Sequence, residues 1–248
     1  NSHTVVVAID EMTHASPLFK GIPKVMWTPQ IAKVQAAILK GGANVLGWDI
    51  ILPTSASTYL DDNRFDQALL KGFIRERNSG RIVLGQAQIN TQKIAPHRAF
   101  AMTVGGEANI RNLDISLDSD GISRSLPLFL EMKTKSGKKT EVPGMAMELA
   151  ARTAKEKPQL TSEGVQFLAQ TIPGSKFREI VLNFDSRPGA IPTYSFADLY
   201  ECAKAGRDEY FREAFADKAV LFGSVLDIED RRLSSNRFIT RPDFEASP

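Results

Sequence analysis

Thr4-Val5-Val6-Val7-Ala8-Ile9-Asp10-Glu11 is an unbroken apolar run that stops on two carboxylates. Rich in β-branched residues and without a polar residue on either face, it predicts a strand buried on both sides, as in the middle of a parallel sheet. In open α/β sheets ligands gather beyond the carboxyl ends of the strands, which makes Asp10 and Glu11 candidates for chemistry or recognition. A structural reading competes with this one: an acidic pair after a strand also serves as a solvated loop or as the cap of a helix.

The next segments supply what must cover that strand. Thr28 as N-cap, Pro29 at the first helical position and Ile31, Val34 and Ile38 on one face predict a helix that ends at Gly41-Gly42. Asn44 to Leu52 reads as a second buried strand with Asp49 inside it and Pro53 closing it. The whole of Val5 to Leu52 is then a strand, helix, strand unit with a right-handed parallel crossover. A second helix begins at Asp62 with Phe65, Leu69 and Phe73 at intervals of four, and Arg81-Ile82-Val83-Leu84-Gly85 gives a third strand. This alternation argues for a layered, mostly parallel α/β sheet flanked by helices.

The middle of the chain breaks the pattern. Ala99 to Val104 is strand-like, and Ile115 to Leu130 reads as an inserted antiparallel hairpin around Asp118-Ser119-Asp120-Gly121, since Asp-Gly is a strong tight-turn signal. The glutamate that would complete a calcium loop is missing at the required spacing. Pro143 opens a helix carrying Met145 and Leu149, and Lys157 to Lys176 is a polar, mobile or helical-turn region. Ile180-Val181-Leu182 is a strand leading to Asn183-Phe184-Asp185, with Asn183 a turn residue and Pro188-Gly189 a loop. Ser195 caps a helix bearing Phe196, Leu199, Tyr200 and Ala203, with Asp198 in a capping box. Lys218-Ala219-Val220-Leu221-Phe222-Gly223 echoes the third strand and belongs in its sheet. The tail from Leu226 carries no periodic apolar face.

Composition bounds the function. The chain has 248 residues, 42% of them hydrophobic and 24% charged, with a net charge of +2, as in an ordinary globular domain with a substantial core. No nucleic-acid surface is indicated: the basic run Lys133 to Lys139 lacks aromatics and reads as a solvated turn. Cys202 is the single cysteine, which excludes an internal disulfide and a multi-cysteine zinc site. His3, His14 and His97 lack metal spacing. No apolar window is long enough to span a bilayer and no signal peptide is visible. The start directly on a strand reads as the opening of an excised domain, with Asn1-Ser2-His3 at a junction.

Phosphate-binding loops, dinucleotide fingerprints, His-Glu-x-x-His and nucleophile elbows are all absent. The enzyme reading that the residues permit is a carboxylate-dependent phosphate-ester hydrolase with Asp10, Glu11 and Asp49 converging on magnesium.

The order of motifs resembles the type 2 CHASE domain, the extracellular sensor associated with cyclases and histidine kinases. The resemblance runs from Val5 to Asp230. It rests on Val7-Ala8-Ile9-Asp10-Glu11, Leu46-Gly47-Trp48-Asp49-Ile50-Ile51, Asp62 with Phe65 and Ala68-Leu69, and Ile82 to Gly85. Asp118-Ser119-Asp120-Gly121-Ile122-Ser123-Arg124 with Leu126-Pro127-Leu128 is its most specific piece. Pro143 to Arg152, Asn183-Phe184, Ile191-Pro192 with Ser195 to Leu199, and Lys218 to Gly223 follow in family order. Ser125 departs from the second basic residue that often follows the arginine, and residues 231–248 lack a clear return segment.

The resemblance implies a single extracytoplasmic sensor domain over residues 1–248, with its core at about 4–230 and an irregular tail at 231–248. It would be the soluble part of a bacterial membrane receptor, tethered by transmembrane helices and feeding a cytoplasmic nucleotide cyclase or kinase, with no catalytic activity, cofactor or metal of its own. Its partners would be an unknown small-molecule ligand, its own transmembrane helices and output domain, and a second copy in a homodimer. The ligand site expected from the residues lies at the strand ends, with Asp10, Glu11 and Asp49 as acceptors and Arg124 as a cationic fork. The alternative for Arg124 is a structural ion pair with one of those carboxylates. Trp27 and Trp48 are expected in the core, and a purely structural, dimerising ectodomain is the third reading.

Overall fold

In the computed structural model, which describes residues 2–60, 64–89, 92–133, 139–173, 179–182, 190–226 and 233–234, the opening apolar run is β1 (Thr4–Ile9). Asp10 ends it by capping α1 (Glu11–Ala15), its side chain accepting from the Thr13 amide. α2 (Thr28–Lys40) buries Ile31, Val34, Ile38 and Leu39 and closes on Gly41. Trp27 holds its N-cap position, because the Thr28 hydroxyl donates instead to Asp66 at 2.5 Å. β2 (Val45–Asp49) ends on the carboxylate itself, three residues short of the expected Leu52. α3 (Gln67–Glu76) buries Leu69 and Phe73; its expected start, Asp62, lies outside the described residues. β3 (Ile82–Ile89) and β4 (Gln92–Ile94) follow.

Ala99 to Val104 is not a strand. It belongs to α4 (Arg98–Val104), which buries Phe100 and Val104. Two large apolar residues four apart suit a helical face as well as a strand, and packing against α3 selects the helix. After β5 (Ile110–Asn112), the Asp118–Gly121 turn forms as expected, with Gly121 donating to the Asp118 carbonyl at 2.9 Å and adopting φ +77°. Beyond the bond from the Asp118 amide to the Ile122 carbonyl at 3.0 Å, its flanks form no ladder with each other. β6 (Ile122–Ser123), β7 (Ser125–Pro127), β8 (Phe129–Lys133) and β9 (Lys139–Pro143) follow it. The antiparallel hairpin is β8–β9, so the basic run joins these strands, although its centre, residues 134–138, is outside the described residues.

Gly144 caps α5 (Met145–Ala154). The region expected to be mobile or helical is instead a meander of β10 (Gln159–Leu160), β11 (Gly164–Phe167) and β12 (Gln170–Pro173). Strands of two to four residues are too short to show alternation in sequence, yet in register Leu160, Val165 and Ile172 align and pack with Leu128, Phe129 and Met147. β13 (Glu179–Val181) pairs antiparallel with β7; the expected Asn183 turn and Pro188-Gly189 loop lie outside the described residues. β14 (Thr193–Ser195) leads into α6 (Phe196–Lys204), and α7 (Asp208–Phe215) was not anticipated. β15 (Ala219–Ser224) and β16 (Leu233–Ser234), which pairs with β6, complete the described elements.

The main sheet runs β14-β1-β15-β2-β3, all parallel, and β3 then pairs with β5 in parallel and β4 antiparallel. β1 and β2 are therefore not neighbours: β15 inserts between them, and β3 and β15 share the sheet as their sequence echo predicts. One face meets α2, α3, α4, α6 and α7 across a core built on Val5, Val7, Ile9, Trp48 and Phe222. The other meets α5 through Val45, Val83, Met145, Leu149 and Ala219. Val6 is only half-buried, because α5 sits over β2, β3 and β15 rather than β1.

Candidate ligand site at the carboxyl edge of the sheet

Parallel strands bring their carboxyl ends to one edge. The register sets Ala8 beside Ser195, Ile9 beside Ser224 and Gly223 beside Asp49. The ends of β14, β1, β15 and β2 thus present Ser195, Asp10, Ser224 and Asp49 in that order. Asp10 Oδ1 accepts from the Thr13 amide at 2.8 Å, the Thr13 hydroxyl at 2.7 Å and the Ser195 hydroxyl at 2.9 Å. Its orientation is locked to both α1 and the start of α6. Ser195 occupies the N-cap position of α6 but makes no side-chain cap, since its hydroxyl is turned to Asp10. Glu11 and Asp49 are exposed. Lys24 donates to the Ser224 hydroxyl at 3.4 Å, which brings an ammonium to the same edge.

Glycine shapes the surroundings of Asp49. A Cβ on Gly223 would lie 3.1 Å from Asp49 Cβ, and one on Gly85 would lie 2.5 Å from the Trp48 carbonyl and 2.4 Å from Leu113 Cδ1. Gly223 of β15 and Gly85 within β3 therefore flank the end of β2 on both sides and leave room for its backbone and carboxylate.

Behind this edge, Asp66 is buried and accepts from the Thr28 hydroxyl, the Ser55 hydroxyl and the Ala56 amide, the last at 3.0 Å. It pins the loop leaving β2 to the starts of α2 and α3. Trp27 and Trp48 are core residues as expected, with indole nitrogens donating to the Ile22 carbonyl at 3.0 Å and to Gln35 Oε1 at 3.2 Å.

Arg124 follows β6 and its guanidinium reaches back to the Asp118–Gly121 turn. It donates to Asp118 at 2.5 Å and to both oxygens of Asp120 at 3.0 and 2.8 Å. Hydrogen bonding to Arg124 holds the Asp120 carboxyl below its ordinary value, and the same bonds push the guanidinium up. The structural pairing of Arg124 is thus with its own turn. Lys24, Ser224, Thr13 and Asp66 had no sequence signal as site residues, apart from the spacing of Thr13 three residues after Asp10 that marks a helix cap. Among the described residues no three His, Cys, Asp or Glu side chains gather closely enough to hold a metal ion. Asp10, Glu11 and Asp49 therefore do not form the magnesium site that the hydrolase reading required.

The arrangement defines a class: an α/β domain whose parallel sheet gathers carboxylates, hydroxyls and an ammonium at its carboxyl edge. The CHASE2 domain family profile matches residues 1–237, and the chain belongs to that family, a family of sensory extracellular domains. An extracytoplasmic location is consistent with this membership. No curated protein and no solved structure matches the chain. Among the described residues no helix is long and apolar enough to cross a membrane.

Proposed function

We propose that the chain is the ligand-sensing input domain of a bacterial transmembrane receptor that controls a cytoplasmic nucleotide cyclase or kinase, with its ligand recognised at the carboxyl edge of the sheet. The observation that carries the reading is the juxtaposition of Asp10, Asp49 and Ser224 on adjacent strand ends in a member of a sensory family. Asp10 supplies an oriented acceptor, Glu11 and Asp49 exposed carboxylates, and Lys24 a cation, so a polar small molecule bearing donors is the fitting ligand. Arg124 enters this reading as the clamp of its turn. The partners in the intact receptor are its transmembrane helices, its output domain and a second copy of the domain.

A sensor responds only to the extent that its ligand prefers one of its states. A thermal-shift screen of small polar solutes is therefore expected to find saturable stabilisation without turnover, and Asp49→Ala is expected to abolish the shift while leaving a folded protein. Turnover of a phosphate ester, or a shift indifferent to Asp49→Ala and Glu11→Ala together, would defeat the assignment. The receptor context is tested by the remaining coding sequence of the gene, where a cyclase or kinase domain is expected.

A further inference from the structure

We infer that the three-stranded meander β10–β12 carries a separate binding site for a neutral, hydroxyl-rich small molecule, a mono- or disaccharide. A concavity of about 430 Å³ lies against this meander, lined by Glu156, Lys157, Gln159, Gln166, Gln170 and Thr171, with Phe167 beside them. That volume falls within the roughly 300–1,000 Å³ of small-molecule sites.

Register creates the lining. Gln159 pairs with Gln166 and Gln166 with Thr171, so two amides and a hydroxyl form one row across the three strands. The adjacent row, Leu160, Val165 and Ile172, faces the opposite side by the strand period and is packed inward. A flat polar face would be only a solvated surface. This one is concave because the chain after α5 folds back beside it, and Glu156 Oε1 accepts the Leu168 amide at 2.8 Å.

The turn that this bond holds is strained. Leu168 and Ala169, the two residues joining β11 to β12, have φ of 51° and 57°, a conformation that hairpins usually assign to Asn-Gly or Asp-Gly. Side chains in that region cost about 1–3 kcal/mol each and persist where their surroundings dictate them. Here the dictating group, Glu156, and the strained Ala169 both line the concavity.

The lining selects the ligand. Side-chain amides offer donors and an acceptor together, the complement of hydroxyls that both donate and accept. One carboxylate and one ammonium cancel, so neither a phosphate nor an organic cation is favoured. The predominantly polar lining disfavours an apolar ligand, and the Phe167 ring at its border is packed with Val165 and Ile172 against the inner cluster.

The inference does not depend on the sheet-edge proposal, and its test separates the two. Calorimetric titration with glucose, maltose and trehalose, with glycine and inorganic phosphate as probes of other chemistries, is expected to give a saturable signal for at least one sugar. Gln166→Ala combined with Thr171→Val is expected to weaken it at least about tenfold, the effect of losing one or two hydrogen bonds, whereas Asp49→Ala leaves it unchanged. Both lining positions are exposed, and circular dichroism with Tm checks that the pair remains folded; Gln166→Glu, which keeps the side-chain length, is the second variant. Absence of saturable sugar binding at millimolar concentration, binding of glycine or phosphate instead, or sugar binding indifferent to the folded variants would overturn the inference.

Discussion

Asp10 gathers three donors on one carboxylate oxygen, so truncating it leaves a helix uncapped and two hydroxyls without their acceptor. Asp10→Ala is expected to cost about 1–2 kcal/mol in chemical denaturation, with Asp10→Asn costing less because an amide oxygen still accepts. Asp10 is thus a helix cap that stands at the carboxyl edge of the sheet. At Asp120 the effect is on titration. Its folded pKa is lowered from the usual 3.8 by the Arg124 hydrogen bonds, so its contribution to stability is present above that value and is lost as pH falls through the lowered one. The carboxyl is exposed, and the contribution is correspondingly small. The check is local: the Asp120 carboxyl resonance is expected to titrate below 3.8 and to return toward it in Arg124→Ala. A chain reading can pair an arginine with an Asp-Gly turn, but its choice among Asp118, Asp120 and the sheet carboxylates depends on distances that only the folded turn sets.

Among elements, the contact of α2 with α7 is close enough to depend on one hydrogen. A Cβ on Gly41 would lie 2.6 Å from the Phe211 carbonyl oxygen, a backbone atom that cannot rotate away. Gly41→Ala is expected to destabilise by about 1–3 kcal/mol despite an ordinary helical φ at this glycine, measured by urea denaturation. The opposite sign is expected in the β11–β12 turn. Leu168→Asn with Ala169→Gly places the preferred residues at two positive φ values and is expected to stabilise by about 0.5–2 kcal/mol, read as a higher Tm. Gly41 was legible as a helix stop, because glycine after a periodic apolar face is a local signal. The meander was not, because its apolar row exists only across three strands.

For the whole molecule, the decisive fact is that β15 lies between β1 and β2. Strands from the two ends of the chain share the middle of the sheet, and a chain ended before Lys218 would leave the flanks of β1 and β2 without their central ladder. Such a truncation is expected to lack a cooperative unfolding transition. A chain ended after Ser234, which retains both β15 and the β16–β6 pairing, is expected to keep one. Circular dichroism during heating distinguishes these outcomes.

Periodicity, the Pro29 and Gly41 boundaries and the alternation of strands with helices were enough to determine the α/β class and to direct attention to Asp10 and Asp49. These are local properties, expressed within a few residues of each position. Tertiary structure alone decided that β15 separates β1 from β2, that Ser195 turns to Asp10 instead of its own helix, that Lys24 joins the sheet edge, and that Arg124 stays with its turn. Each of these depends on a partner far along the chain or on a choice among nearby partners, and the free energy that makes the choice comes from burial and hydrogen bonding realised only after the sheet has formed.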